Sequence, residues 1–478
     1  MIFLEILAGH RRHTTFRALE GDTVLEDVDF LESSLNVALA ISTNFDGNIA
    51  FQASNSLDYL IIEAAFFLLR RPLIIIPPFF NEEQRDFAFT DSGASWLIHE
   101  EPFIDDKRQR RVLNFYISKL NHSHKELPKN CSRVSFTSGS TSNPKGICLS
   151  QKMLIDSIQA LQEALACQPS DRFMSFMPYA ILLEVFSGFY LALFSGASCY
   201  VLSGVSKPES NSQQIYEEIS RNSISITVMM PQMLSSLIEY MKADGLNSPE
   251  SLRFIGLGGA HVPGSLIEDA RLLGLPVFEG YGLTEAASVS CLNTYNKNKI
   301  ATVGTALSHR QVEILEDGEI ALLGDFDSSY CDGTAPFLKD GKLLTGDLGS
   351  LDENGFLSIK GRKKNIFINS HGRNISPEWL ELELQKEAET IVAFAFGEGL
   401  KQPEAIVCLR ENSNLSSFLE KVNVRLPSYA QFSRIHQVPT SFFEQESYRT
   451  ANGRFRRSTI EKHFNLSQKR KEVQNERI

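Results

Sequence analysis

The sequence has no Cys-x-x-Cys pair, and its 7 cysteines are scattered along 478 residues. That excludes a disulfide framework and a clustered zinc site, and it predicts reduced thiols in a cytoplasmic protein. A basic bias is missing as well. Lys and Arg number 47 against 58 Asp and Glu, a formal net charge of -11, so no nucleic-acid partner is expected. The short basic run Gln468 to Lys471 sits among acids and reads as a solvated chain end. No apolar run reaches bilayer length unbroken. The run from Leu57 to Phe80 is interrupted by Glu63, Arg70, Arg71 and Pro72; the run from Tyr179 to Leu202 holds Glu184 and a Gly196 that ends a helix. Each predicts a buried helix followed by a buried strand, and no transmembrane segment. The opening "MIFLEILAGHRR" meets charge too early for a secretory signal. Internal repeats and long low-complexity tracts are also absent.

What the chain does have is strand and helix in alternation. Ser150 can cap a helix whose apolar face is Leu154, Ile158, Leu161 and Leu165. "SISITVMM" (Ser223 to Met230) predicts a strand, and "PQMLSSLIEYMKA" a helix with Pro at its first turn. "LRFIGLGG", "PGSLIEDARLLG" and "LPVFEGYGLTE" continue as strand, helix and strand. The alternation predicts an α/β fold with parallel sheets, in which ligands gather beyond the carboxyl ends of strands. After "GRKKN" the texture changes to a helix from Pro377, strands "IVAFAFG" and "EAIVCLR", a helix near Leu415 to Val424 and one more strand. This predicts a large unit over residues 1–363 and a small α+β unit over 364–478.

Four loops carry candidate chemistry. "FTSGSTSNPKG", Phe136 to Gly146, crowds hydroxyls and glycines before a lysine. Consecutive amides in such a loop form an anion-binding concavity. Thr137, Ser138, Ser140 and Thr141 add donors around Gly139, and Lys145 adds a full charge. The spacing is not that of the common P-loop, and the plain alternative is a surface turn. "GYGLTE", Gly280 to Glu285, offers the flat face of Tyr281 between Gly280 and Gly282, then a hydroxyl and a carboxylate. One or two carboxylates suffice for Mg²⁺ that arrives with nucleotide phosphates; the plain alternative is a turn followed by a helix cap. "TGD" places Asp347 after a glycine turn, where it can accept from ribose hydroxyls or serve only the turn. "GRKKNIFINSHGRNISPEWLE" brings Arg362 and a Gly372 turn, or else is a solvated linker.

Together and in this order, the motifs resemble the signatures of the AMP-forming acyl-adenylate superfamily: acyl-CoA synthetases, peptide-synthetase adenylation domains and luciferases. The resemblance runs from about Leu35 to Phe464 and includes "GLGGA" (Gly256 to Ala260) and "TANGRFRR". It looks nearest to the fatty-acyl branch. It implies a large N-terminal adenylate-forming domain and a smaller, mobile C-terminal lid. It implies ATP, Mg²⁺ and either coenzyme A or a phosphopantetheine as thiol, with a small carboxylic acid as substrate and an acyl carrier protein as a possible partner. The activity implied is attack of a carboxylate on the α-phosphate of ATP, then transfer of the acyl group to the thiol. Matched motif by motif, Thr137, Ser138, Gly139, Ser140, Thr141 and Lys145 would hold the outer phosphates. Gly258, Gly259, Ala260, Gly280, Tyr281 and Gly282 would border adenine. Thr284 would stand by the α-phosphate, Glu285 would meet Mg²⁺, and Asp347 with Arg362 would hold the ribose. Lys364 would be the hinge, and Gly372 would border the thiol passage.

Two departures qualify the resemblance. The family's last motif ends in Thr-x-x-Gly-Lys, and here Arg454 replaces that lysine. A planar guanidinium keeps the charge and changes the shape. The alternatives are therefore slower adenylation, an enzyme specialised for the thioester step, or a non-enzymatic module that binds nucleotide or acyl-adenylate. In "FMPYAILLEVFSGFY", Ile181 stands where long-chain members commonly place His, while Glu184 keeps their Glu. No charged residue stands where amino-acid-activating relatives place their amine-binding Asp, so the resemblance implies an apolar acid, fatty or aryl. The chain also starts close to its first helix, which makes it short for the family.

Overall fold

The computed structural model describes residues 14–19, 23–101, 110–137, 144–203, 211–259, 262–387, 389–410, 414–448 and 455–464. The alternation read from the sequence becomes two large mixed sheets. In the first, Phe254–Leu257 lies between Val277–Leu283 and Ile226–Met229, and Arg172–Ser175, Ser198–Val201 and Thr15–Ala18 continue the parallel run. Antiparallel strands close both edges, Val24–Glu26 at one and Ser288–Leu292 with Thr305–Ala306 at the other. The second sheet has a parallel centre of Cys131–Thr137, Leu73–Ile75, Asn48–Gln52 and Ala94–His99, again with antiparallel flanks. One continuous core takes Phe51, Ile75 and Leu149 from the second sheet and Phe173, Val201 and Phe254 from the first.

The two interrupted apolar runs behave as expected. Ser56 caps Leu57–Leu69, its hydroxyl accepting from the Tyr59 amide, and Arg70 ends it in the left-handed region at φ 52°. A strand, Leu73–Ile75, follows. The second run forms helix over Leu182–Glu184 and Leu191–Ser195, then the strand Ser198–Val201, but Val185–Tyr190 between the two is a π-helical stretch. Gly188 in that stretch is a packing requirement, since a Cβ there would stand 1.7 Å from Ser175 Oγ. Among the described residues, no helix is long and apolar enough to cross a membrane.

A buried polar junction joins these elements. Arg133, on the strand that enters the 138–143 loop, is 1% exposed. Its guanidinium donates to the Glu63 carboxylate, to Tyr179 O at 3.1 Å and to Ser135 Oγ at 3.1 Å. Tyr190 Oη donates to the same Glu63 oxygen at 2.9 Å. One side chain thus ties the loop's incoming strand to the Leu57–Leu69 helix and to the segment before Leu182.

A third sheet, all antiparallel, was not anticipated. Gln311–Ile314, Glu319–Leu323 and Lys342–Leu351 are its body, and Leu357–Arg362 pairs with the last of these. Beyond it come the short pair Phe367–Ile368 and Asn374–Ile375, the helix Pro377–Gln385 capped by Ser376, and the sheet Thr390–Phe396, Glu404–Leu409 and Arg434–Gln437 beside Leu415–Arg425. These last elements hold their own core around Leu380, Ala393, Val407 and Phe418.

Candidate active site

The strand Val277–Leu283 turns back on itself through Thr284–Ala286 and returns as Ser288–Leu292. Gly282 is required here, because a Cβ would lie 1.8 Å from the Ser288 carbonyl oxygen. Ala287 and Ser288 take φ of 57° and 84°, a region that side-chain-bearing residues occupy only where the surroundings over-determine them. Ser328 Oγ donates to Glu285 O at 2.7 Å, so the carbonyl of the candidate metal-meeting residue is held from behind.

Asp347 lies on the strand Lys342–Leu351, directly opposite Arg362 in register. Arg362 Nε reaches Asp347 Oδ1 at 2.7 Å, and Tyr281 Oη donates to Oδ2 at 2.6 Å. Three residues from separate motifs therefore meet at one buried carboxylate. Burial, and next the Asp347 charge, push the Tyr281 phenol well above its usual range, so it remains a donor. The Gly346 turn, φ 69°, is pinned by Glu319, whose Oε1 accepts from the Gly346 amide at 2.9 Å. Glu319 also takes Lys363 Nζ at 2.7 Å.

A cleft of about 1780 Å³ opens over this group. Pro144, Gly259, Gly280, Tyr281, Gly282, Asp347, Arg362 and Lys364 all border it, as do Glu378, Phe455 and Arg457 from the later part of the chain. Thr137, Lys145, Gly258, Thr284 and Glu285 do not border it, although Lys145 follows Pro144 and Gly258 precedes Gly259, which do. Thr137 and Lys145 face each other at the base of the loop hairpin, and Lys145 Nζ sits 5.0 Å from the Tyr330 ring centroid. The strand Lys145–Ser150 packs against the Thr284–Ala286 turn, which brings the lysine's strand beside Glu285. Gly258 lies behind, 3.4 Å from Leu183 by its would-be Cβ. Gly372 turns at φ 72° outside the cleft wall. Ser138, Gly139, Ser140, Thr141, Ala260 and Arg454 lie outside the described residues.

The sequence reading missed Glu279. It borders the cleft beside Tyr281, and burial pushes its carboxyl up to about 8. The signal was present, as an acid at the carboxyl end of a buried strand. It also missed Glu319 and Ser328, which act through contacts that spacing does not reveal.

The arrangement suits a nucleotide. It offers a tyrosine ring at the wall, a buried carboxylate that accepts from it, and Pro144 at the rim. No group of three or more His, Cys, Asp or Glu able to hold a metal by itself occurs among the described residues. Glu285 supplies one carboxylate, and one or two suffice for Mg²⁺ that arrives with nucleotide phosphates.

Known proteins share both sequence and fold with this chain. The family model for AMP-binding enzymes matches residues 29–325. The 2-succinylbenzoate–CoA ligase of Bacillus velezensis is 27% identical over 425 residues, 83% of each chain. That of Bacillus subtilis is 26% identical over 409 residues, 79% of this chain and 80% of its own. The solved O-succinylbenzoate coenzyme A synthetase of Bacillus subtilis with ATP and magnesium superimposes with TM-score 0.78 at 21% identity, covering 96% of this chain and 98% of that one. An anthranilate CoA ligase with anthranoyl-AMP gives 0.81 at 16% identity, 96% of each chain. These proteins are named for aromatic acids, which moves the resemblance from the fatty-acyl branch to the aryl one.

Proposed function

The chain belongs to the AMP-binding enzyme family, and from that premise we propose an AMP-forming acid–thiol ligase that activates an apolar carboxylic acid, aryl or fatty, and passes the acyl group to coenzyme A. One observation carries the reading: Tyr281, Asp347 and Arg362, from three distant motifs, meet at one buried carboxylate on the wall of a large cleft. In the first step an oxygen of the acid's carboxylate attacks the α-phosphorus of ATP, the bond to the β-phosphate oxygen breaks, and pyrophosphate leaves. In the second, the thiol attacks the acyl carbon and AMP departs. Neither step needs a side-chain nucleophile, so the protein positions the reactants and stabilises charge.

The roles proposed follow from the motif resemblance, supported by Tyr281, Asp347 and Arg362 at the cleft wall. Tyr281 packs on adenine, while Asp347, held by Arg362, accepts from the ribose hydroxyls. Thr284 stands by the α-phosphate. Lys145, with Thr137 and the hydroxyls of Ser138, Ser140 and Thr141, holds the outer phosphates. Glu285 helps hold Mg²⁺, which supplies charge neutralisation of the leaving pyrophosphate. Lys364 is the proposed hinge between residues 1–363 and 364–478. In support, Lys363 is anchored at 2.6 Å to Asp317 and at 2.7 Å to Glu319, which ties the chain before Lys364 to the third sheet.

Relatives named as CoA ligases support coenzyme A over a carrier protein. The test is acid-dependent pyrophosphate release from ATP across a panel of aryl and fatty acids, with thioester forming on addition of coenzyme A. Nucleotide binding without pyrophosphate release from any acid would favour the binding-module reading. In the same assay Arg454→Lys is expected to speed the first step, since the ammonium is the compact donor that the attacking carboxylate and α-phosphate share in relatives.

A further inference from the structure

Arg310 is 5% exposed, yet no carboxylate lies within ion-pair distance of it among the described residues. Its guanidinium instead serves carbonyls. Nη2 donates to Ala286 O at 3.2 Å, and Nη1 donates to His309 O at 3.2 Å and Asp325 O at 3.3 Å. The cation lies 4.4 Å from the Phe326 ring centroid, and Gly324 leaves it room, since a Cβ there would approach Nη1 to 2.8 Å. Burial pushes the guanidinium down to about 10, against the pull of Asp156 and Asp325. A buried charge without an ion-pair partner is costly to keep, and its hydrogen bonds to carbonyls offset part of that cost.

One of those groups, Ala286 O, belongs to the Glu285 turn. Thr284 O accepts from the Ala287 amide at 3.0 Å, Glu285 O from Ser328 Oγ at 2.7 Å, and Ala286 O from Arg310. Every carbonyl of the turn is taken, two of them by side chains from other segments. Directly after the turn come the two strained residues, Ala287 and Ser288.

We propose that Arg310, with Ser328, is a positioning residue that clamps the turn bearing Thr284 and Glu285 and so sets the affinity of the site for the magnesium–ATP complex. The proposal rests on the reading above that Glu285 meets Mg²⁺. Removing a group that orients a metal-holding residue typically lowers metal affinity roughly 10–100-fold. Arg310 acts on the backbone one residue away, so the lower end applies.

The experiment compares Arg310→Met, Arg310→Lys and Ser328→Ala with the parent protein. Arg253→Lys serves as a control, because its Asp171 partner lies at the opposite end of the strand Phe254–Leu257. Two quantities are read: the Mg²⁺ concentration giving half-maximal pyrophosphate release, and hydrogen exchange of the Ala287 amide in the protein alone. For Arg310→Met, the Mg²⁺ requirement should rise about 10-fold with the acid KM unchanged, and exchange should quicken. Arg310→Lys should recover part of both, and Ser328→Ala should move both in the same direction. The control should lower thermal stability and leave the Mg²⁺ requirement alone. An unchanged Mg²⁺ requirement, or unchanged exchange, in Arg310→Met overturns the clamp. If that variant does not fold, Ser328→Ala and Arg310→Lys decide by the same criteria. A parent protein without Mg²⁺-dependent release would defeat the ligase reading, and the exchange arm would then decide the clamp by itself.

Discussion

Replacing Asp347 by Asn tests whether the three-motif junction grips a nucleotide or only braces the sheet. In the parent, Oδ1 takes Arg362 Nε at 2.7 Å and Oδ2 takes Tyr281 Oη at 2.6 Å. Asn has one acceptor oxygen and an NH₂ that can only donate, so one of the two donors must face another donor. A hydrogen bond to a charged group contributes about 1.5–3 kcal/mol, and the residue is 4% exposed, so water does not readily replace it. One such bond is lost, and the charge opposite Arg362 goes with it. If ribose hydroxyls share this carboxylate, the loss appears in the affinity for ATP, about 10- to 150-fold at 1.4 kcal/mol per decade. The assay is pyrophosphate release with ATP varied at saturating acid, alongside a melting curve. The expected result is a raised ATP KM with the acid KM unchanged. A lowered melting temperature with an unchanged ATP KM would refute the reasoning and leave the junction a structural brace.

Glu285→Ala should abolish Mg²⁺-dependent pyrophosphate release while leaving the fold intact by circular dichroism; retained turnover would remove the metal role. Glu63→Gln leaves the buried Arg133 charge without its counter-ion and should destabilise the protein by about 3–5 kcal/mol in denaturant melts, whereas Glu63→Gln with Arg133→Met should recover much of that loss. Glu184 is fully buried, its carboxyl pushed up to about 8 by burial. The folded state therefore keeps a proton that the unfolded state releases, and stability contributed by this group falls as pH rises from the unfolded value of 4.5 to about 8. Glu184→Gln should flatten that decline in melting temperature, and an unaltered pH profile would show that the carboxyl is not protonated in the fold.

Much of the fold was legible because it is written in local pattern. Ser150, Pro231 and Pro377 mark helix starts that the structure places at Gln151, Pro231 and Pro377. The apolar runs gave helix and strand at 57–75 because charge and proline punctuate them. The antiparallel edges and the third sheet were not legible, since pairing direction is set by distant partners and not by residue alternation. At the site, glycine punctuation exposed Tyr281 and Asp347. Arg310 and Ser328 escaped because a side chain that serves a remote carbonyl leaves no periodic trace. The π-helical stretch escaped for a related reason: its apolar residues fit either winding.

That stretch has a consequence for length variation in the chain. Val185–Tyr190 is wound more loosely than the α-helical turns on either side. Removing one residue there would let the segment close into continuous α-helix while the turns on either side keep nearly the same faces, because the wide turn is what absorbs the extra residue. Leu191–Ser195 would keep its buried place, and Glu184, which precedes the stretch, would still accept from the Phe176 amide at 2.8 Å. A one-residue gap at this point in an alignment would therefore mark a change of winding, not a change in the faces that the flanking turns bury.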